Sequence, residues 1–318
     1  MSRPVPRAGV VAIGSNSTRM LTADLDARLG RPVRGRQETR LFLSLENGSL
    51  RPDAVRRVRE AVAVLHRQAL DAGAQRVLLT ATSAVRDAGD ARPLAEALRA
   101  DTGLRLRVLS GAKEAAWAFL GACWPFGEGE RLGVVDIGGG STEIALGTRE
   151  RMRSASSLQL GASRLYGTHP VEGIESMEGA VSQARRLMEG VSPDPDFRPA
   201  RWLLVGGTGM ALIGLLSGRP THSGDMADQA FTREQALRVL ERLAPLAPGE
   251  RANLPGMTPG REHILPTGLA VLVALMDRLG VDGMTVTARN NTDGCLYEWA
   301  RRQAGKAQKK TAPESPRE

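Results

Sequence analysis

Residues 9–18, GVVAIGSNST, return near the middle of the chain as residues 133–142, GVVDIGGGST, with seven of the ten positions identical. Each copy runs from an apolar strand through a turn of glycines and small polar residues into a second strand. Such a turn aims backbone N–H groups at one point, and a phosphate suits that geometry. Two copies predict two related half-molecules facing a single phosphate-bearing ligand. The copies differ at one position of chemical weight: Ala12 stands in the first where Asp136 stands in the second.

Strand and helix signals alternate around these repeats, which predicts an α/β fold. Pro52 opens a helix whose Val55, Val58, Val62, Leu65 and Ala69 follow helical spacing. Residues 76–80 read as a strand. Leu104, Leu106 and Val108 alternate with Arg105 and Arg107, giving a strand with one polar face. A helix is expected over 112–123, and the stretch 125–129, PFGEG, reads as a hinge after which the pattern restarts. Beyond the second repeat, strands are expected at 157–160, 202–205 and 284–287. Helices are expected around 178–188, after the glycine run 206–209, and at 232–243, 264–279 and 294–302. Residues 1–125 and 126–305 thus form two domains of one ancestry with a cleft between them, the last helix (294–303) being able to pack back on the first domain. The polar stretch 306–318 has no core pattern and is expected to be disordered.

The composition bounds the function. The 318 residues carry a net charge of +8, which favours polyanionic partners, long phosphate polymers among them. Many of the basic residues are arginines on helical patterns, where they can also be simple solvated surface. Cys123 and Cys295 are far apart and in no CxxC pattern, so neither a disulfide framework nor a zinc site is indicated. The N-terminus lacks the apolar core of a signal peptide. The uncharged stretch 264–276 is too short to span a bilayer. A soluble, cytoplasmic protein is expected.

Five segments, in order, carry a resemblance to a known family: IGSNSTRML at 13–21, TATSAVRDA at 80–88, LSGAKEAAWAFLG at 109–121, VVDIGGGSTEIAL at 134–146 and VGGTGMAL at 205–212. The stretch 264–280, ILPTGLAVLVALMDRLG, adds to them. The chain resembles the exopolyphosphatase/guanosine pentaphosphate phosphohydrolase (Ppx/GppA) family in its short, two-domain form. That family lies within the actin-like ATPase superfamily. The resemblance implies two ribonuclease-H-like domains with an interdomain cleft, and a phosphoanhydride hydrolase acting on inorganic polyphosphate or guanosine pentaphosphate. It implies no nucleic-acid or membrane partner, and a homodimer is compatible with it.

Hydrolysis of a phosphoanhydride needs charge neutralisation, positioning, an activated water and usually a metal ion. Backbone N–H groups at Gly14, Gly138, Gly139 and Gly140 can approach phosphate closely because glycine has no Cβ. Ser15, Asn16, Ser17 and Ser141 add side-chain donors. Gly206, Gly207 and Thr208 offer a third cradle ahead of a helix N-terminus. A lone glycine turn is more often merely a tight turn; three, two of them duplicated, point to phosphate. Asp136, at the end of a strand before the glycine loop, is placed to bind Mg²⁺ directly or through water.

The resemblance assigns the general base to Glu114, in SGAKEA, where family members carry S-G-x-E-E-A. Taken alone, Glu114 also fits an ordinary acidic residue at a helix start. Arg86 matches a family position and could hold a phosphate; its alternative is a salt bridge to Asp87 or Asp90. Three positions depart from the family pattern. Ala12 replaces an Asp, Lys113 replaces the first Glu of the pair, and Thr292-Asp293-Gly294 stands in place of R-E-G. The first two add positive charge and weaken metal capture. Lys113 could neutralise a phosphate oxygen or depress the pKa of Glu114. These departures leave open a weakly active or inactive member that binds polyphosphate or an alarmone. An ATP-dependent sugar or acid kinase is disfavoured, because Glu114 and the segment at 80–88 match the phosphatase branch.

Overall fold

The computed structural model describes residues 5–46, 48–89, 91–192, 194–221 and 228–311. The first repeat forms β1 (Arg7–Ile13) and β2 (Ser17–Asp24), and β3 (Val33–Glu38) continues the meander. A short hairpin, β4 (Leu45–Glu46) with β5 (Ser49–Leu50), leads into α1 (Pro52–Asp71). Then come β6 (Arg76–Ala81), the single turn α2 (Ser83–Arg86), α3 (Arg92–Thr102), β7 (Leu106–Val108) and α4 (Gly111–Cys123). The second repeat forms β8 (Leu132–Ile137) and β9 (Thr142–Gly147), followed by β10 (Met152–Leu158). After these come α5 (Ala162–Thr168), α6 (Ile174–Leu187), β11 (Arg201–Val205) and α7 (Gly207–Ser217). The chain continues through β12 (Gln229–Thr232), α8 (Arg233–Leu243), α9 (Pro248–Ala252), α10 (Leu265–Leu279), β13 (Gly283–Val286) and α11 (Asn291–Thr311).

The strand orders show the duplication. Among the described residues the first sheet reads β3-β2-β1-β6-β7 and the second β10-β9-β8-β11-β13, with β12 added at its edge. In each, the first three strands are antiparallel and the next two run parallel to the central strand. This is the ribonuclease-H-like order, twice, and the pair is the actin-like architecture that the resemblance implies. β1 and β8 are apolar along almost their whole length because helices cover both faces of their sheets.

In the first sheet, α1 and α3 cover one face, with Val58, Val62, Leu65, Leu94 and Leu98 packed on Val11, Ile13 and Leu79. The other face packs Ala8, Val10, Leu21 and Ala23 against Trp117 of α4 and Cys295 and Leu296 of α11. In the second sheet, α6, α7, α8 and α10 supply the larger core. Its opposite face meets α4 again, through Phe119, Ala122 and Cys123 on Leu132, Val134, Leu203 and Val205. Helix α4 therefore fills the space between the two sheets.

The structure corrects several expectations. The strand expected at 157–160 lies earlier, as β10, whose MRSASSL sequence is largely exposed and shows no apolar alternation. Strand β12 and helix α5 have too few apolar positions to be read; of the four residues of β12 only Phe231 is buried. Helix α11 continues through residue 311, past the expected start of disorder at 306; residues 312–318 lie outside the described residues. No helix among the described residues is long and apolar enough to cross a membrane.

Candidate active site

The two glycine turns close in the same way: the N–H of Gly14 donates to the carbonyl of Ser17 (3.1 Å) and that of Gly138 to Ser141 (2.9 Å). They face each other at close range. A Cβ on Gly139 would lie 2.6 Å from the Cβ of Ser15, and one on Gly140 would lie 2.3 Å from Ser83 Oγ and 2.8 Å from the Phe42 ring. The third turn joins them. Gly206 takes φ +99°, which an L side chain rarely adopts, and a Cβ there would meet Asp136 Oδ1 at 2.8 Å. A Cβ on Gly207 would strike the Arg261 guanidinium at 1.8 Å.

The resulting narrow cleft, with a cavity of about 70 Å³, is lined by Gly14, Ser15, Asn16, Ser17, Gly138, Gly139, Ser141, Gly206, Gly207, Glu114 and Asp136. Arg19, Thr82, Arg261 and Asn291 also line it. Gly140, Thr208 and Arg86 do not reach its surface. Gly140 packs on Ser83 and Phe42, and Thr208 is buried behind Gly207. Arg86 turns to Glu114: its Nη1 donates to the Leu109 carbonyl (2.7 Å) and to Glu114 Oε2 (3.2 Å). Asp87, offered as its partner, is taken by Arg164, and Asp90 lies outside the described residues.

Strand register shows what the repeat means chemically. Ala12 sits opposite Arg19 in the first hairpin, and Asp136 opposite Glu143 in the second. The same two positions hold a cation beside a methyl group in one half and two carboxylates in the other. Burial pushes the Asp136 carboxyl up to about 6, against the pull of Arg19. Glu114 is pushed up to about 7, first by burial and then by repulsion from Asp136, with Arg86 opposing. Glu143 is raised well above the ordinary carboxylate range by burial and by both acids, although Ser157 Oγ donates to it at 2.7 Å. On the cationic side, burial and repulsion from Arg36 and Arg19 pull Arg261 down to about 9. Arg19 is lowered by burial and by Arg36.

Among the described residues, buried polar atoms without a partner include Arg261 Nε and Asn16 Oδ1 on residues that line the cleft, and Thr208 Oγ1 and Ser163 Oγ behind its wall. Each such group costs about 1–3 kcal/mol when left unmatched. An anion with several acceptor oxygens would relieve the arginine desolvation and the orphan Arg261 Nε. The three acids offer the hard oxygen donors that Mg²⁺ prefers, and a cation would relieve their repulsion. Among the described residues, no three His, Cys, Asp or Glu side chains form a ready cage. The donor set fits an ion that completes its shell with water and phosphate oxygens, with Asp136 and Glu143 able to hold it.

Three site residues escape the sequence reading. Glu143 was legible, since it follows Thr142 and falls opposite Asp136 once the hairpin is drawn. Arg19 is in the segment 13–21 but carries no signal of its own. Arg261 comes from a loop with no motif. Both roles considered for Lys113 also fall away. Its Nζ reaches Glu298 Oε2 of α11 at 2.5 Å and lies 5.0 Å over the Trp117 ring. Asp293, of the altered Thr292-Asp293-Gly294, holds Arg34 of β3 through both oxygens, at 2.6 and 3.1 Å. It thereby ties α11 to the first sheet.

Comparison with known proteins agrees with this construction. A model of the Ppx/GppA phosphatase family matches residues 33–303. "Exopolyphosphatase 2" of Mycobacterium tuberculosis is 32% identical over 319 residues, covering 92% of this chain and 98% of that protein. A "Guanosine-5'-triphosphate,3'-diphosphate pyrophosphatase" of Vibrio parahaemolyticus is 26% identical, covering 92% of this chain and 59% of that protein. The crystal structure of an exopolyphosphatase from Cytophaga hutchinsonii shares the fold with a TM-score of 0.82 at 19% identity, over 93% of this chain and 98% of that one. With its duplicated strand order and its paired glycine turns, the chain belongs to the Ppx/GppA phosphatase family.

Proposed function

We propose that this chain is an exopolyphosphatase that releases the terminal phosphate of inorganic polyphosphate, with Glu114 as general base. One observation carries the reading: a buried carboxylate with a pKa near neutrality lines a cleft built from three glycine turns and two desolvated arginines. The relative from M. tuberculosis, which matches over nearly its whole length, bears the exopolyphosphatase name.

The turn N–H groups, Ser15, Ser17 and Ser141 hold the terminal phosphate, and Arg19 and Arg261 balance its charge. Glu114 takes a proton from the attacking water. The water oxygen bonds to the terminal phosphorus while the bridging P–O bond breaks, and the shortened chain leaves with the bridging oxygen. Arg86 holds Glu114 in place and partly ionised. Mg²⁺, bound by Asp136 and Glu143, would neutralise phosphate charge.

Phosphate release is measured from long-chain polyphosphate and from guanosine pentaphosphate, with and without Mg²⁺. Release that disappears in Glu114→Ala supports the reading, and the better substrate decides between the two activities. Tight binding without release above background would establish the second reading, a binding protein with little turnover. Ala12 favours that second reading, because the first hairpin turns Arg19 rather than a carboxylate toward the site.

A further inference from the structure

The face of the first sheet that α4 and α11 cover is left open at one end. There a pocket of about 640 Å³ lies between the starts of β1 and β6, the edge strand β7 and the outer half of α11. That volume is in the range of small-molecule sites, about 300–1,000 Å³. Register places Ala8 beside Arg76 and Thr80 beside Arg107, so Ala8, Arg76, Leu78 and Arg107 share one face of the sheet. Trp299 of α11 stands over this floor, half-buried and without a ring partner among the described residues.

Most charges at this pocket are matched. Arg7 pairs with Asp24 at 2.9 Å, and Arg302 pairs with Glu298. Arg76 and Arg107 are exposed, and neither has a side-chain partner among the described residues. Gln75 and Gln303 bring amide groups to the rim.

We propose that this pocket is a second ligand site and that it takes a nucleotide. A half-buried tryptophan beside Ala8 and Leu78 suits a heteroaromatic base. The amides can read the edge of that base. The unmatched arginines suit its phosphates. A purely apolar ligand would leave both arginines unanswered, and inorganic phosphate would make no use of Trp299.

The site lies at the opposite end of β1 and β6 from the cleft and is linked to it through α4. Its inner wall includes Trp117, one helical turn beyond Glu114 on α4, and Glu298, which holds Lys113 and Trp117 Nε1, both at 2.5 Å. A bound nucleotide bears on that contact and so on the first turn of α4. This coupling rests on the reading of Glu114 as the base, whereas the binding does not.

The test titrates ATP and GTP separately into the full chain by calorimetry, with the cleft saturated by tripolyphosphate. At least one nucleotide is expected to bind with one site per chain. Trp299→Ala and the surface pair Arg76→Glu/Arg107→Glu should each weaken it at least tenfold. Absence of binding with the cleft filled, or unchanged affinity in the arginine pair, overturns the proposal. Without nucleotide, the variants should turn over polyphosphate as the parent does, so a parent with no turnover is a failure of the hydrolase reading alone. In an active parent, saturating nucleotide should change kcat at least twofold, and the arginine pair should abolish that change. The same change in both proteins overturns the coupling.

Discussion

Replacing Arg86 with glutamine separates two roles that the sequence leaves open. The Arg86 guanidinium lies 3.2 Å from Glu114 Oε2 and opposes the upward shift of its pKa. An opposite charge at that range lowers a carboxylate pKa by about 1–3 units. In Arg86→Gln, Glu114 should therefore rise from about 7 toward about 8–10. At about pH 7 the ionised fraction of the base would fall from about one half to about one tenth for a one-unit shift, and to about one thousandth for three units. Glu114 acts as a base only when ionised, so the acid limb of the pH–rate profile should move upward and the lost rate should return at high pH. The assay is kcat/KM for polyphosphate across about pH 5.5–10. A limb that stays in place while KM rises at every pH would refute the argument. It would put Arg86 on a substrate phosphate instead.

Asp136→Asn should stabilise the metal-free protein at about pH 8. The folded pKa of Asp136, about 6, lies above the ordinary 3.8, so its ionised form costs stability above about pH 6, and that cost fades as pH falls toward about 4. The gain is at most about 3 kcal/mol, read as a rise in Tm at about pH 8 that is absent at about pH 4; destabilisation at the higher pH would contradict it. Gly207→Ala places a Cβ 1.8 Å from the Arg261 guanidinium and displaces it. Loss of one charge-assisted contact, about 1.5–3 kcal/mol, should raise KM for polyphosphate roughly tenfold to a hundredfold; an unchanged KM would remove Arg261 from the binding set. Ala12→Asp puts a carboxylate opposite Arg19. A steeper Mg²⁺ dependence and a higher rate are expected in phosphate-release assays, and an unchanged or lower rate would show that the missing carboxylate does not limit the enzyme.

Much of the fold was legible because it repeats. The 9–18 and 133–142 stretches locate both central hairpins, and the glycine turns they contain do line the cleft. Buried strands such as β8 announce themselves by unbroken apolar runs. Exposed β10 does not, because most of its side chains face solvent. The charges were harder to read. Arg86 finds Glu114 across 28 residues and Lys113 finds Glu298 across 185, and neither spacing leaves a local trace. Lys113 reads as a change in the catalytic cluster when it follows from the way the last helix crosses α4. Arg261 arrives from a loop whose only distinction, its burial, appears after folding.

That crossing fixes where the base sits between the two halves. A Cβ on Gly294 would lie 1.8 Å from the Trp117 carbonyl, and one on Gly121 would lie 2.2 Å from the carbonyl of Asn290, so α4 and α11 are seated too closely to slide. Asp293 anchors α11 to β3. The crossed pair bridges the two halves: α11 packs on β1 and β2, whereas α4 packs on β8, β9 and β10 and, through Trp117, on the first sheet. Glu114, held by Arg86, faces the cleft from the jaw of the first sheet, and Asp136, near the end of β8, from that of the second. Parting the jaws would relax the repulsion that raises Glu114 and let it ionise at lower pH, whereas closure restores a base poised near neutrality. The proton affinity of Glu114 thus becomes a gauge of how far the molecule has shut.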